Sequence, residues 1–239
     1  MSRVDLYGDD KGFVELVDHM GTDLTIVNSA RVSFGKHKAE MDDKDVKLIN
    51  YLVKHKHTSV FEHNVVTFRI KVPLYVRSQH HRHRTWSYNE ISRRYTDFNI
   101  EFYEPESFRT QHESNRQASN PDNIDPNISV PTGNGSITGV YRGSASKVLG
   151  LYHKDSLRLF DALLEAGVCR EQARGVLPQN MYTEYYGTVN LSNLLKFVSL
   201  RIHEGAQWEI QELAKGMLKI AEGLWPFAVK AFRNNGEER

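Results

Sequence analysis

The order of hydrophobic and polar residues predicts strands and helices in the first hundred positions of the chain. The clearest strand has apolar residues at every second position, as half-buried strands of antiparallel sheets do, at Val66, Phe68, Ile70 and Val72. Pro73 ends this strand and suits the first turn of a helix that carries Gln79 and ends near Arg82. The same reasoning predicts short strands at 4–6 and 13–17, helices at 22–32 and 42–55, and a further strand over 98–102.

The second half of the chain has mainly the apolar spacing of helices. We predict helices at 144–166, 170–177, 190–202 and 205–224, with Pro178 ending the second and Asn190 capping the third. A run rich in Tyr and Thr predicts a strand at 181–189. Periodicity disappears over 104–143, where Pro, Asn, Ser and Gly dominate, so we predict one long loop there.

These elements predict an α+β fold with a central antiparallel or mixed sheet flanked by helices. No Gly-rich fingerprint of a dinucleotide-binding fold is present. At 239 residues with 39% hydrophobic content, the chain can bury a core as one domain spanning 1–239. The same length and hydrophobic content make two small domains a less favoured alternative.

Charge and composition narrow the functional class. The chain has 31 Lys and Arg against 30 Asp and Glu, which argues against a protein that coats nucleic acid through a general basic excess. Its single cysteine, Cys169, excludes an internal disulfide and fits a reducing compartment. No run approaches about 18 apolar residues and no signal-peptide pattern opens the chain. We therefore expect a cytoplasmic globular protein with no membrane span.

Positive charge is concentrated locally, in the segment 82–95, which reads RHRTWSYNEISRRY. Its many donors and few acceptors repel one another unless an anion lies among them. Arginine binds phosphate with two parallel hydrogen bonds, so a small polyanion is the first hypothesis. Two alternatives remain open at this point. One is a solvated basic surface, and the other is a nucleic-acid module that stacks bases on Trp86 and Tyr88 and binds with steep salt dependence.

The pattern of Arg82-His83-Arg84, Ser92 after seven residues, and then Arg94 resembles the signature of flavin-dependent thymidylate synthases. Further blocks resemble that family in order and approximate spacing, at 32–34, His57 with 61–63, 172–178, 188–190 and 206–210. The resemblance covers nearly the whole chain except 104–143. It implies the fold of that family and the reductive methylation of dUMP to dTMP. Methylenetetrahydrofolate would be the carbon donor, FAD the hydride carrier and NADPH the reductant, in a homotetramer with shared active sites.

The resemblance also implies the site residues. Arg201 would be catalytic, facing the pyrimidine ring and polarising or ionising its N3 edge, while His57 would help admit the folate near the flavin. The dUMP site would comprise Gln79, His80, His81, Arg82, Glu90, Ile91, Ser92, Arg93, Arg94, Arg201 and, from a neighbouring subunit, Arg174. The FAD site would comprise Ser59, Arg82, His83, Arg84, Glu90, Asn190, Ser192 and Lys196.

Several positions depart from the pattern of the family. Ser192 and Lys196 stand where some relatives carry Arg and Asn, although both can still hydrogen-bond a cofactor. Arg93 stands where the family often has a small residue or Gln, so its side chain is expected to point to solvent. His80 and His81 belong to the implied wall of the site but receive no chemistry. A catalytically inactive nucleotide sensor on the same fold is disfavoured because the signature residues are intact.

Three kinds of chemistry are not expected. The chain has 11 His, but they lack the close spacing of converging zinc ligands, so no metal site is predicted. Cys169 lies outside every motif, so no thiol nucleophile is expected. Ser92 has no legible His-Asp arrangement and is interpreted as a binding residue.

The loop at 104–143 could fold over the folate or extend a subunit contact.

Overall fold

Strands and helices of the computed structural model alternate along the residues it describes, which are 2–115, 119–132 and 139–236. The strands are β1 (Arg3–Asp5), β2 (Phe13–Met20), β3 (Val65–Pro73), β4 (Ser87–Glu90), β5 (Phe108–Gln111), β6 (Ser119–Ile124), β7 (Asn127–Thr132), β8 (Gly139–Ser144) and β9 (Tyr182–Asn190). The helices are α1 (Asp23–Arg31), α2 (Asp43–Lys54), α3 (Leu74–His80), α4 (Ala145–Glu165), α5 (Arg170–Ala173), α6 (Leu191–Arg201), α7 (Trp208–Leu224) and α8 (Pro226–Gly236). No described helix combines the length and the apolar composition that a membrane span requires.

The described residues divide into two compact units. The first unit takes in the described parts of 1–72, 76–90 and 184–239, and the second takes in 73–75 and 91–183. The single domain expected for 1–239 stays a prediction, since a division into units does not decide whether either part folds alone.

The main sheet has the strand order β1-β2-β3-β9-β4. Strand β2 pairs antiparallel with both β1 and β3, and β4 pairs antiparallel with β9. The predicted strand is confirmed, because its four alternating residues, Val66, Phe68, Ile70 and Val72, are 0% exposed in β3. The expected α+β fold, with an antiparallel sheet flanked by helices, is also confirmed.

Helix α7 packs closely against β1 and β2 in the first unit. Gly216 lies at this contact, and a Cβ built there would be 2.8 Å from Cγ1 of Val14 and 3.0 Å from Cδ2 of Leu6. A larger residue would therefore force helix and strands apart. The sequence pattern predicts α7 but not α8, which follows Trp225 directly. The carboxylate of Asp23 accepts hydrogen bonds from the backbone amides of Phe227 at 3.2 Å and Ala228 at 2.9 Å, and so caps α8.

The second unit has its own core, of Phe102, Phe160, Ala173, Leu177 and Met181. The strand predicted over 98–102 is wrong. Phe98 is 77% exposed, and Phe102 forms only an isolated bridge to Met181. Pairing is limited to the end of the segment, where the amide of Tyr103 donates to the carbonyl of Asn180 and the amide of Tyr182 donates to that of Glu101, so the apolar alternation did not produce a strand.

The long loop predicted over 104–143 is wrong in its described part. Strands β5 and β6 pair antiparallel, and so do β7 and β8, giving two separate two-stranded sheets. Residues 116–118 and 133–138 lie outside the described part of the chain. Polar residues and prolines occupy these strands, as Pro121 in β6 and Pro131 in β7 show, and they hide the strands from pattern analysis.

Helix predictions in the second half agree with the structure to within a few residues. Ser144 caps α4, and the side chain of Asn190 caps α6 by accepting from the amide of Asn193 at 2.9 Å. The helix predicted at 170–177 is present as α5 followed by a 3₁₀ turn at Arg174–Val176. Helix α7 begins three residues later than predicted, at Trp208.

Candidate active site

The segment that carries the Arg-His-Arg motif is a turn followed by an edge strand of the first unit. Helix α3 ends at His80, the chain turns through Arg82 to Arg84, and β4 then pairs with β9. Glu90 lies opposite Tyr185, and Ser87 lies opposite Thr188. The sheet therefore fixes the backbone on the C-terminal side of the motif, although the polar sequence of β4 does not predict a strand.

His80 supports this turn from behind. It is 0% exposed, and its Nδ1 lies 2.7 Å from the hydroxyl of Tyr185. Trp86 and Phe197 enclose the ring, with centroid distances of 4.5 and 4.8 Å. Burial holds the pKa of His80 well below its ordinary value, with smaller effects from the neighbouring cationic groups. His80 is therefore a neutral, buried part of the first unit.

Tyr88 on β4 ties the same turn together from its other side. Its hydroxyl donates to the backbone carbonyls of His80 at 3.0 Å and of His83 at 3.2 Å. Its ring stacks on His81 with a centroid distance of 4.0 Å. Burial raises the pKa of the Tyr88 phenol, so the hydroxyl remains a donor at neutral pH. One side chain thus fixes the ends of the turn that presents Arg82.

Arg201, at the end of α6, contacts the motif directly. Its Nε lies 3.2 Å from Nε2 of His83 and donates to it. Burial, and then the charge of Arg201, lower the pKa of His83 to about 4, so the ring is neutral and its Nε2 can accept. Burial also lowers the pKa of Arg201. No carboxylate lies within ion-pair distance of this guanidinium in the parts of the chain that the structure covers.

Two residues of the first unit that are predicted to bind the nucleotide make further polar contacts. Glu90 forms an ion pair with Arg77, with 3.0 Å between Oε1 and Nε. Gln79 donates from its amide nitrogen to the side-chain oxygen of Gln207. Neither Arg77 nor Gln207 is among the residues that the sequence predicts. Arg77 lies in no block that resembles the family, and Gln207 lies in the block 206–210 with no role assigned to it, so the sequence indicates neither contact.

The residues predicted to bind the cofactor in the first unit include three cations and a residue in the first turn of α6. Arg82, Arg84 and Lys196 have no carboxylate partner within the described residues. The hydroxyl of Ser192, in the first turn of α6, is buried and makes no hydrogen bond there. The turn Ser59–Phe61 contacts α6. The unpartnered Ser192 hydroxyl at the start of α6 and the unpaired cations are groups that a pyrophosphate can use, so these residues fit FAD.

His57, expected to help admit the folate, is exposed in the first unit. Its ring stacks on that of Tyr51 with a centroid distance of 6.0 Å, and His55 lies against the same ring at 4.3 Å. An exposed imidazole beside an exposed phenol offers flat surfaces to an aromatic ligand. No group of three or more His, Cys, Asp or Glu within the described residues could hold a metal ion.

In the second unit, two exposed arginines contact the same acidic residue, Glu171. Nη2 of Arg94 lies 3.9 Å from Oε2 of Glu171, and Nε of Arg174 donates to the carbonyl of Glu171 at 3.3 Å. The amide of Arg94 also donates to the hydroxyl of Ser92 at 3.3 Å. These contacts place Ser92, Arg94 and Arg174 together within the second unit. The interpretation of Ser92 as a binding residue stays a prediction.

The expectation that the Arg93 side chain points to solvent is wrong. Arg93 is 7% exposed, and its guanidinium donates to the carbonyls of Phe98 at 2.7 Å and Asn99 at 3.3 Å. Burial lowers its pKa. Arg93 thus fixes the backbone that follows Arg94, which is the structural reason for a long side chain here. Direct contact of a nucleotide with Arg93, Ile91, His80 or His81 stays a prediction.

Comparison with known proteins adds a family and several relatives. The family model described as "Thymidylate synthase complementing protein" matches residues 15–227. A flavin-dependent thymidylate synthase of Thermus thermophilus is 43% identical over 226 residues, which are 95% of this chain and 77% of that protein. A flavin-dependent thymidylate synthase of Thermotoga neapolitana is 41% identical over 223 residues, which are 93% of this chain and 91% of that protein.

Solved structures agree with these matches. A UMP/dUMP methylase from Streptomyces cacaoi, bound with 5-Br dUMP, superimposes with a TM-score of 0.78 at 30% identity and 98% coverage of both chains. The same methylase bound with 5-Br UMP gives a TM-score of 0.74 over 93% of this chain and 94% of that one. The similarity extends over the described fold and is not confined to the motif.

Proposed function

Because this chain belongs to the flavin-dependent thymidylate synthase family, we propose that it carries out the reductive methylation of dUMP to dTMP. In this proposal FAD is the cofactor, methylenetetrahydrofolate is the carbon donor and NADPH is the reductant. When bound, reduced FAD supplies the hydride that the chemistry needs. The protein's own residues bind and orient the reactants and stabilise charge.

Arg201 carries the proposal. A half-buried guanidinium with no carboxylate partner in the described residues is costly unless a ligand supplies the negative charge. Uracil offers two carbonyl oxygens and an ionisable N3 between them. Hydrogen bonds from Arg201 to this edge would stabilise the negative charge that the ring carries when it is made nucleophilic, before C5 attacks the carbon donor. Neutral His83 holds the guanidinium by one nitrogen and leaves its terminal nitrogens for the ligand.

Three residues of the second unit, Ser92, Arg94 and Arg174, are the proposed ligands of the dUMP phosphate. Arg94 and Arg174 are exposed guanidiniums, and the Ser92 hydroxyl lies beside the Arg94 amide. Arginine forks suit the three terminal oxygens of a phosphate monoester. We propose a homotetramer with shared active sites, in which Arg174 serves the nucleotide site of a neighbouring subunit.

FAD would be held by residues of the first unit. Its pyrophosphate fits the start of α6, where Asn190 and Ser192 lie, with Arg82, Arg84 and Lys196 as unpaired cations. Ser59 lies on the turn that contacts α6.

The single cysteine, Cys169, belongs to the second unit, where it hydrogen-bonds Gln172, so the first unit supplies no thiol. A cytoplasmic location, expected from the composition, remains a prediction.

The decisive experiment measures tritium release from dUMP labelled at C5, with methylenetetrahydrofolate, FAD and NADPH present. We expect a yellow purified protein and release that requires every component. A folded, colourless protein that ignores added FAD and releases no tritium would contradict the proposal. A nucleic-acid-binding protein would instead bind polynucleotides with steep salt dependence and show no flavin spectrum.

A further inference from the structure

A relay of three polar side chains joins α3 to the start of α7 within the first unit. The amide nitrogen of Gln79 donates to the side-chain oxygen of Gln207, and the amide nitrogen of Gln207 donates to Oε2 of Glu209 at 2.8 Å. Glu209 is 4% exposed. The hydroxyl of Tyr7 donates to its backbone carbonyl at 3.2 Å, which holds the start of α7 in place. The relay therefore begins at a buried acid and ends at a predicted nucleotide residue.

The acid sets the direction of every bond in the relay. A carboxylate accepts hydrogen bonds and cannot donate, so Gln207 must present its NH₂ group to Glu209. The carbonyl oxygen of Gln207 then faces Gln79, which must present its own NH₂ group in turn. Rotating either amide by half a turn would oppose two oxygens or two NH₂ groups. The carbonyl oxygen of Gln79 is thus left without a partner in the described residues and can only accept.

We propose that Glu209 is a positioning residue that fixes Gln79 as a hydrogen-bond acceptor for a donor on the pyrimidine nucleotide. The inference rests on the proposed function, which places Gln79 in the dUMP site. Two groups of dUMP can donate to such an oxygen, the imide N–H at N3 and the 3′-hydroxyl. An amide that is free to rotate would serve a donor or an acceptor, so fixing it makes the site select for the donor.

The test compares dUMP with two analogues on the FAD-loaded protein, by isothermal titration calorimetry. N3-methyl-dUMP lacks the imide donor, and 2′,3′-dideoxyuridine monophosphate lacks the 3′-hydroxyl. For the wild type we expect one analogue to bind about tenfold more weakly than dUMP, because a fixed acceptor loses its partner. The analogue that is penalised identifies which of the two donors Gln79 reads.

Glu209→Gln removes the directional constraint, because a carboxamide can donate as well as accept. We expect dUMP to bind about threefold to tenfold more weakly to this variant, and the penalty of the selected analogue to shrink to about twofold or less. Gln207→Leu breaks the middle of the relay without changing the buried acid and should give the same result if Glu209→Gln fails to fold. Glu212→Gln, on the same helix outside the relay, should keep the wild-type penalty.

Three results would overturn the inference. The first is a full wild-type penalty in both relay variants, and the second is an equal loss of affinity for all three ligands, which a purely structural role would give. The third is a wild type that binds both analogues as well as it binds dUMP. A flavin-loaded wild type that does not bind dUMP at all would overturn the proposed function itself, which is a separate outcome.

Discussion

Nε of Arg201 donates to Nε2 of His83 across 3.2 Å, so a neutral imidazole holds this guanidinium in the place where a carboxylate would be usual. A carboxylate would neutralise the charge of the arginine. The imidazole orients it and leaves the charge undiminished. Because the terminal nitrogens of Arg201 make no hydrogen bond within the described residues, they are available to a ligand.

The first prediction concerns Arg201→Ala. We expect a loss of about 100-fold or more in tritium release from labelled dUMP, since one oriented charge donor is removed from the reacting ring. Flavin absorbance should be retained, because Arg201 is not among the proposed FAD residues. Arg233→Ala removes an exposed arginine that pairs with Glu222 and should leave the rate unchanged. Turnover near the wild-type rate in Arg201→Ala would remove this residue from the chemistry.

The second prediction concerns the dependence of stability on pH. Burial lowers the pKa of His83 to about 4 and holds that of His80 well below its ordinary value. An unfolded histidine titrates at about 6.5. Between these values the unfolded chain binds protons that the folded chain does not. The free energy of unfolding should therefore fall as the pH drops from about 6.5 to about 4.

His83→Gln should remove part of that slope while still offering an acceptor to Arg201. Urea denaturation at about pH 7, 5.5 and 4.5 measures the effect. Lys219→Gln, at an exposed position of α7, serves as the control and should keep the wild-type slope. If His83→Gln and the wild type lose stability in parallel over this range, His83 is not held neutral by the fold.

The third prediction concerns the hydroxyl of Tyr88. Tyr88→Phe keeps the stack on His81 but removes the bonds to the carbonyls of His80 and His83. We expect a stability loss of about 1 kcal/mol and weaker retention of flavin, because the turn that carries Arg82 loses its tie. Tyr186→Phe, on an exposed ring of β9, is the matched control. Full flavin retention during gel filtration of Tyr88→Phe would show that the turn holds its shape without the hydroxyl.

The fourth prediction concerns the cap of α8. Asp23→Ala leaves the amides of Phe227 and Ala228 without their acceptor in a buried place, and should cost about 1–3 kcal/mol of unfolding free energy. Asp43→Ala changes an exposed acid in the first turn of α2 and should cost clearly less. Equal urea midpoints for the two variants would show that α8 does not depend on this cap.

Sequence patterns predicted the elements that bury one face. Strand β3 and helices α2, α4 and α6 bury regular apolar stripes, and their bounds followed from spacing and caps. Helix α8 escaped because its buried residues are mostly small, as Ala228 and Ala231 are, and because Pro226 reads as a stop after α7. Strand β4 and the two hairpins escaped because their strands are polar and show no apolar alternation.

Candidate site residues could be predicted where a sequence motif or a helix face indicates them. They could not be predicted where they depend on contacts between residues distant in the chain. Arg201 could be found as an arginine on an apolar helix face. Its partner His83 could not be matched to it, because 118 positions separate them in the chain. Glu209 carried a usable signal, since it lies four residues before Leu213 on the buried stripe of α7. A buried acid at such a position requires partners, and the relay supplies them.

The missing side chain of Gly216 lets α7 lie close against Val14 and Leu6, and the same helix carries Gln207 at its start, where it accepts from Gln79. Nine residues of helix, about 14 Å, separate the glycine from Gln207. A methyl group added at this remote contact would tilt the whole rod and pull its far end out of register. Substrate choice would then depend on residues outside the proposed nucleotide site, and directed evolution of selectivity should search at this contact too.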